Sequence, residues 1–167
     1  KTYLALCNQF NTINKKTLAV SNKFIVENSL ARISPRHTPA RWGEVSSGGL
    51  SAKTDFTVVE RFAAACLIQA RPLTGRTHQI RVHLAGIGLP LLGDTLYGGP
   101  AEIDGRHIPR VMLHASSLEF SHPITGQTIQ TTVVPPPDFQ SCADFMRDAT
   151  RNKRHHSHHV IRKNPAL

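Results

Sequence analysis

The sequence has few cysteines, few aromatic residues and no long apolar segment. Its three cysteines lie far apart, at Cys7, Cys66 and Cys142, and form no Cys-x-x-Cys pair. This excludes the disulfide framework of a small secreted domain and is typical of a reducing, intracellular compartment. No apolar run approaches the ~20 residues that a membrane-spanning helix needs, and no signal-peptide pattern opens the sequence. We therefore expect an intracellular protein without a membrane partner.

Acidic residues are also scarce. The sequence contains 11 Asp and Glu residues against 20 Lys and Arg residues, which gives a net charge of +9 and a pI near 10.1. A protein this basic favours a polyanionic partner, because each phosphate that is neutralised releases condensed counterions. A generally basic, solvated surface is the alternative that composition leaves open. Composition thus indicates a nucleic acid without separating RNA from DNA.

The pattern of apolar residues predicts an α+β fold with a mainly antiparallel sheet and a few short flanking helices. Hydrophobic residues make up 40% of the 167 residues, enough for one domain with a hydrophobic core. Strands are predicted at residues 1–7, 54–62, 65–71, 112–120 and 128–134. Residues 8–54 are rich in Asn, Ser, Thr and Gly, so we predict an irregular excursion there, with one short strand near residues 23–26.

A short helix is predicted over residues 78–85, with Thr77 as its N-cap. The residues predicted on its buried side, at helical spacing, are Ile80, Leu84 and Ile87. His78 and Arg81 are three positions apart and share a more polar stripe of the same helix. The imidazole of His78 and the guanidinium of Arg81 are therefore expected side by side on this polar stripe.

The chain is predicted to divide into a domain over residues 1–139 and a basic, histidine-rich extension over residues 140–167. A run of three prolines at 135–137 is expected to end the domain, and an amphipathic piece follows it. The four histidines of the tail at 155–159 could bind a transition metal adventitiously, although a solvated basic tail is the preferred interpretation. The tail residues expected to make nonspecific RNA contacts are Arg151, Lys153 and Arg154.

The segment 71–99 reads RPLTGRTHQIRVHLAGIGLPLLGDTLYGG. It closely resembles the signature of the RluA family of RNA pseudouridine synthases, a long ordered motif that ends in Gly-x-Pro-x-x-Gly-Asp-x-x-Tyr-Gly. Residues 1–6 (KTYLAL) are similar to the family's Lys-x-Tyr-x-Ala strand, and residues 48–61 to its small-residue strand. Residues 112–123 are similar to its closing Leu-His-Ala…Phe-x-His-Pro segment. The resemblance covers residues 1–139.

The resemblance implies the pseudouridine synthase fold and the isomerisation of uridine to pseudouridine in RNA, without a metal or an organic cofactor. The expected substrate is ribosomal RNA, free or within a ribosomal or pre-ribosomal particle. In the family an aspartate attacks or deprotonates at the sugar, an arginine pairs with that aspartate, a tyrosine lies against the flipped base and an aliphatic residue closes the pocket. A base must leave its stack before it reacts, and a buried carboxylate needs a fixed cation.

Matching positions assign the arginine role to Arg81, the tyrosine role to Tyr3 and the aliphatic role to Leu113. The residues expected to face the RNA backbone or to support the pocket are Arg76, Thr77, His78 and Gln79. Each assignment has a structural alternative: a surface salt bridge for Arg81, strand packing for Tyr3 and core packing for Leu113. The histidines interpreted as structural rather than metal-binding are His78, His83 and His114.

The family's aspartate lies in a segment of the type Arg-Leu-Asp-x-x-Thr-Ser-Gly, before the Lys-x-Tyr strand, and this sequence contains no such segment. Asp94 lies in the Gly-Asp-x-x-Tyr-Gly motif, where its family counterpart is not the nucleophile. We therefore expect an enzyme whose aspartate lies upstream of Lys1, in the cytoplasm or in a mitochondrion. The alternatives are an inactive homologue that binds structured RNA, such as a ribosome-assembly factor, and a scaffold for protein contacts.

Overall fold

The computed structural model describes residues 1–9 and 21–160, including side chains as far as residue 153. Its strands are β1 (Thr2–Asn8), β2 (Lys23–Arg32), β3 (Trp42–Glu44), β4 (Leu50–Arg61), β5 (Ala65–Pro72), β6 (Glu102–Ile103), β7 (Arg106–His107), β8 (Leu113–Ser121) and β9 (Thr128–Thr132). Its helices are α1 (Gln79–Gly86), a 3-10 helix (Thr95–Tyr97) and α2 (Pro137–Val160).

Seven of these strands form one antiparallel sheet in the order β3-β2-β4-β5-β1-β8-β9. The short strands β6 and β7 pair separately. The predicted α+β fold with a mainly antiparallel sheet is therefore confirmed. The first strand of the sequence lies between β5 and β8, so residues from distant parts of the chain meet at the centre of the sheet.

The two α-helices cover opposite faces of this sheet. Successive side chains of a strand point to opposite faces, and β1 buries both of its faces. Leu6 joins one core cluster with Met112 and the start of α2. Its neighbours Ala5 and Cys7 join the other cluster, together with α1. The central strands are apolar on both sides because each side is covered.

Helix α1 packs on one face through the residues that its spacing predicts. Ile80 and Leu84 are 6% and 0% exposed and contact the cluster that contains Phe56 and Ile68, while Ile87 is partly buried against it. A helix of eight residues is marginal in isolation, so this packing supplies most of its stability.

Helix α2 packs on the opposite face through Phe139, Cys142, Ala143 and Met146, which recur at helical spacing and are at most 4% exposed. Its first residue is Pro137, a position where proline suits a helix because the missing N–H group would have no intrahelical partner. The expected boundary between residues 139 and 140 thus falls inside a helix whose first turns belong to the core.

The prediction of an irregular excursion over residues 8–54 is wrong for the part described from residue 21 onward. Strand β2 is ten residues long and pairs with β4 along its length, and β3 adds an edge. Only one side of β2 faces the core, through Phe24 and Val26, so its other positions tolerate Lys, Glu, Asn and Ser. The short strand predicted near residues 23–26 is the beginning of β2, and the half-polar pattern hid the rest of the strand. Residues 10–20 of the excursion lie outside the described residues.

Candidate active site

A cavity of about 260 Å³ opens on the face of the sheet that carries α1. The start of β1, the turn after β5, the first turn of α1 and the start of β8 surround it. The residues predicted for the site that line it are Tyr3, Arg76, His78, Gln79, Arg81 and Leu113. Thr77 lies beside the cavity, is exposed and is not part of its lining. The structure therefore brings together three candidate catalytic residues from widely separated parts of the sequence.

Gln79 holds the turn that forms one wall of the cavity. Its side-chain oxygen accepts hydrogen bonds from the Thr74 hydroxyl at 2.8 Å and from the Arg76 backbone N–H at 2.9 Å. Its amide nitrogen donates to the Lys53 carbonyl at 3.0 Å and to the Thr54 hydroxyl at 2.9 Å. Gln79 is 4% exposed, so it supports the wall from inside and anchors the turn to β4.

The prediction that Thr77 caps α1 is wrong. His78 occupies the N-cap position, with a left-handed backbone (φ 57°, ψ 16°) and no side-chain capping bond. This conformation costs a residue with a Cβ roughly 1–2 kcal/mol. Thr is a common N-cap residue. Here the left-handed backbone of His78 turns the chain sharply, and the His78 side chain meets the loop that follows α1.

Arg81 is held by Asp94 in a two-point ion pair. Its Nε and Nη2 donate to the two carboxylate oxygens, each at 2.7 Å. The Asp94 side chain is 0% exposed and that of Arg81 is 18% exposed. The hydrogen bonds from Asp94 raise the pKa of the Arg81 guanidinium, although partial burial opposes this. Arg81 is therefore a permanent cation with a fixed orientation at the cavity wall.

The loop that presents Asp94 depends on the two glycines beside it in the motif. A Cβ on Gly93 would lie 2.0 Å from the Arg110 carbonyl oxygen, and the residue has a φ of +77°. A Cβ on Gly99 would lie 1.8 Å from the Leu91 carbonyl oxygen. Both positions exclude a side chain, so the Gly-Asp-x-x-Tyr-Gly-Gly pattern is required for the loop to approach Arg81.

Tyr97 covers the face of the same guanidinium, with its ring centre 4.8 Å from the Arg81 Cζ. Its hydroxyl accepts the backbone N–H of Trp42 at 2.9 Å and lies 2.9 Å from His78 Nδ1. Burial lowers the pKa of His78, and the charge of Arg81 lowers it further, against a smaller opposing effect of Asp94. Neutral imidazole is therefore favoured at this position.

Sequence reasoning gave no role in the site to Asp94 or Tyr97. The available signal was their place in a motif of fixed spacing that also contains Arg81. None of the described residues that line the cavity is an Asp or a Glu. Both carboxylate oxygens of Asp94 are occupied by Arg81, so this residue is unsuited to act as a nucleophile.

Comparison with known proteins identifies the family. The model described as RNA pseudouridylate synthase matches residues 1–86. This chain belongs to the RNA pseudouridylate synthase family. The ribosomal large subunit pseudouridine synthase D of Xanthomonas campestris is 38% identical over 114 residues, which is 62% of this chain and 34% of that relative. Synthase C of Yersinia pestis is 44% identical over 90 residues, which is 52% of this chain and 28% of that relative.

The chain therefore spans about a third of the length of the curated relatives it matches. Among solved structures, human RNA Pseudouridylate Synthase Domain Containing 1 is 28% identical with a TM-score of 0.63, over 85% of this chain and 58% of that one. Human RNA Pseudouridylate Synthase Domain Containing 4 shares the fold with a TM-score of 0.65 at 23% identity, over 88% of this chain and 62% of that one.

The basic residues predicted for the tail of this chain lie far from the cavity. Arg151 and Lys153 are exposed on α2, on the opposite face of the sheet. Arg151 pairs with Asp148 at 3.5 Å and Lys153 with Asp104 at 3.3 Å. The side chain of Arg154 and the end of the basic tail lie outside the described residues. The structure thus separates the predicted RNA-contacting residues into two groups.

His83 and His114 each have a protein partner that suits a structural role. His83 Nε2 lies 3.0 Å from Asn28 Oδ1, and His114 Nε2 donates to the Val133 carbonyl at 3.0 Å. Within residues 1–9 and 21–153, no three His, Cys, Asp or Glu side chains are grouped so that they could hold a metal ion. Over the same part of the chain, no helix has the length and apolarity to cross a bilayer.

Proposed function

We propose that this chain is part of the catalytic domain of an enzyme that converts uridine to pseudouridine in ribosomal RNA. The observation that carries the proposal is the cavity where the oriented cation of Arg81 meets the side chains of Tyr3 and Leu113. The relatives named as ribosomal large subunit pseudouridine synthases support ribosomal RNA as the substrate.

The isomerisation breaks the bond between the ribose and a ring nitrogen of uracil and forms a bond to a ring carbon. That carbon loses its proton and the nitrogen gains one, so no external reactant is needed. The proposed nucleophile or base is an aspartate in a part of the protein outside this sequence. Arg81 would pair with it through Nη1, which donates to no group in the described part of the chain, while Nε and Nη2 stay on Asp94.

Tyr3 and Leu113 would receive the uracil after it leaves its stack. Tyr3 lies on the central strand β1, with Ala70 of β5 and Ala115 of β8 as its direct neighbours. Two small neighbours leave room for a planar ring above the sheet, and a base gains about 1–3 kcal/mol from an aromatic platform. A rigid central strand keeps that platform in place when the RNA binds.

Arg76 is placed to meet the RNA backbone at the rim of the cavity. Its Nε donates to the Ser51 carbonyl at 2.9 Å, which fixes the side chain while its remaining N–H groups stay available for phosphate oxygens. Gln79 would act only by supporting the turn. The proposed location, cytoplasm or mitochondrion, follows from ribosomal RNA as the substrate.

The deciding experiment compares the full-length natural protein with its Arg81→Ala variant on unmodified large-subunit ribosomal RNA transcribed in vitro. We expect Arg81→Ala to abolish pseudouridine formation, measured by mass spectrometry of RNA digests, while the Kd for the RNA changes less than about threefold. Arg106→Ala is the matched control, because Arg106 lies against Phe145 and Ser141 of α2, away from the cavity. Arg106→Ala should keep the pseudouridine formation and the Kd for the RNA of the wild-type protein.

Equal loss of binding and activity in Arg81→Ala would contradict the catalytic role of this residue. A wild-type protein that binds the RNA and forms no pseudouridine would contradict the enzymatic proposal. That result would favour the inactive RNA-binding homologue.

A further inference from the structure

Tyr97, the tyrosine of the Gly-Asp-x-x-Tyr-Gly motif, contacts the same cation as Asp94. The short segment from Asp94 to Tyr97 contacts the Arg81 guanidinium in two ways. The Asp94 carboxylate accepts two hydrogen bonds at its edge, and the Tyr97 ring covers its face. Contacts at an edge and at a face restrict different rotations of a planar cation. Without the ring, Arg81 could still swing about the axis that joins it to Asp94.

Tyr97 is itself held at its hydroxyl by two other elements. The oxygen accepts the Trp42 N–H of β3, so its own proton is free to be donated to His78 Nδ1 at 2.9 Å. That donation requires a neutral imidazole with its proton on Nε2, a tautomer inferred from the hydrogen-bond pattern. A protonated His78 carries a proton on Nδ1 and cannot accept from Tyr97.

The surroundings of His78 favour the accepting form. The charged and titratable groups that face it are Arg81 of its own helix and Asp94 and Tyr97 of the following loop. The ring of Tyr97 also meets the imidazole edge-on, with centroids 5.7 Å apart. The left-handed backbone of His78 is what points its ring at the loop.

We propose that Tyr97 is a positioning residue for Arg81 and that neutral His78 locks Tyr97 in place. The inference rests on the proposed function, because it concerns the cation that the isomerisation would use. It assigns Tyr97 no contact with the substrate. Protonation of His78 would reverse this hydrogen bond, because Nδ1 would then donate to the oxygen that already accepts the Trp42 N–H. The hydroxyl proton would lose its acceptor, and the hold on the ring would weaken.

The kinetic test uses Tyr97→Phe and Tyr97→Leu in the full-length protein, with large-subunit ribosomal RNA transcribed in vitro. Tyr97→Phe keeps the ring and loses both hydrogen bonds of the hydroxyl, so kcat should fall about tenfold. Tyr97→Leu also loses the ring, and kcat should fall about 100-fold, as expected for a misplaced catalytic group. KM should stay within about twofold in both variants, because the proposal gives Tyr97 no contact with the RNA.

Thr95→Ala is the control, because Thr95 is exposed in the same 3-10 helix. It should leave kcat and KM unchanged. The acid limb of the pH profile supplies a readout that a purely structural role would not move. Tyr97→Phe removes the hydroxyl through which His78 acts, so the part of the acid limb that His78 causes should be absent in this variant. Unchanged kcat in Tyr97→Leu, or an acid limb in Tyr97→Phe that is identical to that of the wild type, would overturn the proposal.

Nuclear magnetic resonance separates this inference from the proposed function. In Tyr97→Phe the imidazole of His78 should titrate at higher pH than in the wild type, and in Tyr97→Leu the Nε proton of Arg81 should exchange faster with water. Neither measurement needs activity. If the wild-type protein forms no pseudouridine, the proposed function fails and these two spectra decide the positioning of Arg81. Identical spectra in wild type and variants would overturn it.

Discussion

The two α-helices carry the same kinds of ion pair on opposite faces of one sheet, and burial makes them different. On the α1 side, Arg81 and Asp94 are 18% and 0% exposed and share two hydrogen bonds of 2.7 Å. On the α2 side, Arg151 and Asp148 are 73% and 68% exposed and meet at 3.5 Å. By formal charge alone these two arginines are equivalent. The structure shows one oriented cation and one solvated cation.

The physical consequence is that the two faces suit different tasks. A buried, two-point pair is costly to disrupt and holds its geometry, as a catalytic cation requires. An exposed pair contributes about 0–1 kcal/mol and is weakened by salt, so its arginine can readily exchange a carboxylate for a phosphate. Specific chemistry is therefore expected at α1, and sequence-independent attraction at α2.

The largest effect should come from removing the buried carboxylate. We expect Asp94→Ala to lower the free energy of unfolding by about 3 kcal/mol, because it leaves a largely buried cation without its partner. Asp148→Ala, which breaks the exposed pair of α2, should cost less than about 1 kcal/mol. Urea unfolding of both variants measures the difference. Equal losses would show that burial does not distinguish the two faces.

The pH dependence of stability should come from the α1 side. His83 is 1% exposed between α1 and β2, and burial lowers its pKa from 6.5 to about 4. The unfolded chain therefore binds more protons than the folded one between these values, so stability should fall as pH drops from about 6.5 towards 4. His83→Gln should flatten this part of the curve, whereas His107→Gln, at an exposed position of β7, should not. Thermal melts across this pH range provide the measurement. A curve that His83→Gln leaves unchanged would remove His83 as the cause.

The smallest effect on stability should come from the cations of α2. The double variant Arg151→Ala and Lys153→Ala should keep the unfolding free energy within about 1 kcal/mol. If these side chains contact phosphates, the slope of log Kd against log salt for ribosomal RNA should fall by about 1–2. Filter-binding titrations at several salt concentrations test this. An unchanged slope would exclude these two residues from the RNA interface.

The fold was predictable where the apolar pattern is strong. The alternation of β1, the pair β4 and β5 and the buried side of α1 were all visible, because each buries a regular stripe. Strand β2 was predicted only near residues 23–26, because only one of its faces packs on the core. The N-cap was misplaced because local propensity favours Thr77, whereas the contact of His78 with Tyr97 is made between residues 19 apart in the chain.

The ordered motifs and their spacing are enough to indicate the family and the three candidate residues Arg81, Tyr3 and Leu113. The sequence by itself also determined the basic charge and the antiparallel class of the sheet. Only the tertiary structure decided which cation is fixed. Burial, the two-point contact with Asp94 and the covering ring of Tyr97 all depend on a loop that folds back over α1. No pattern of neighbouring residues encodes the distance between groups that meet only after the sheet has formed.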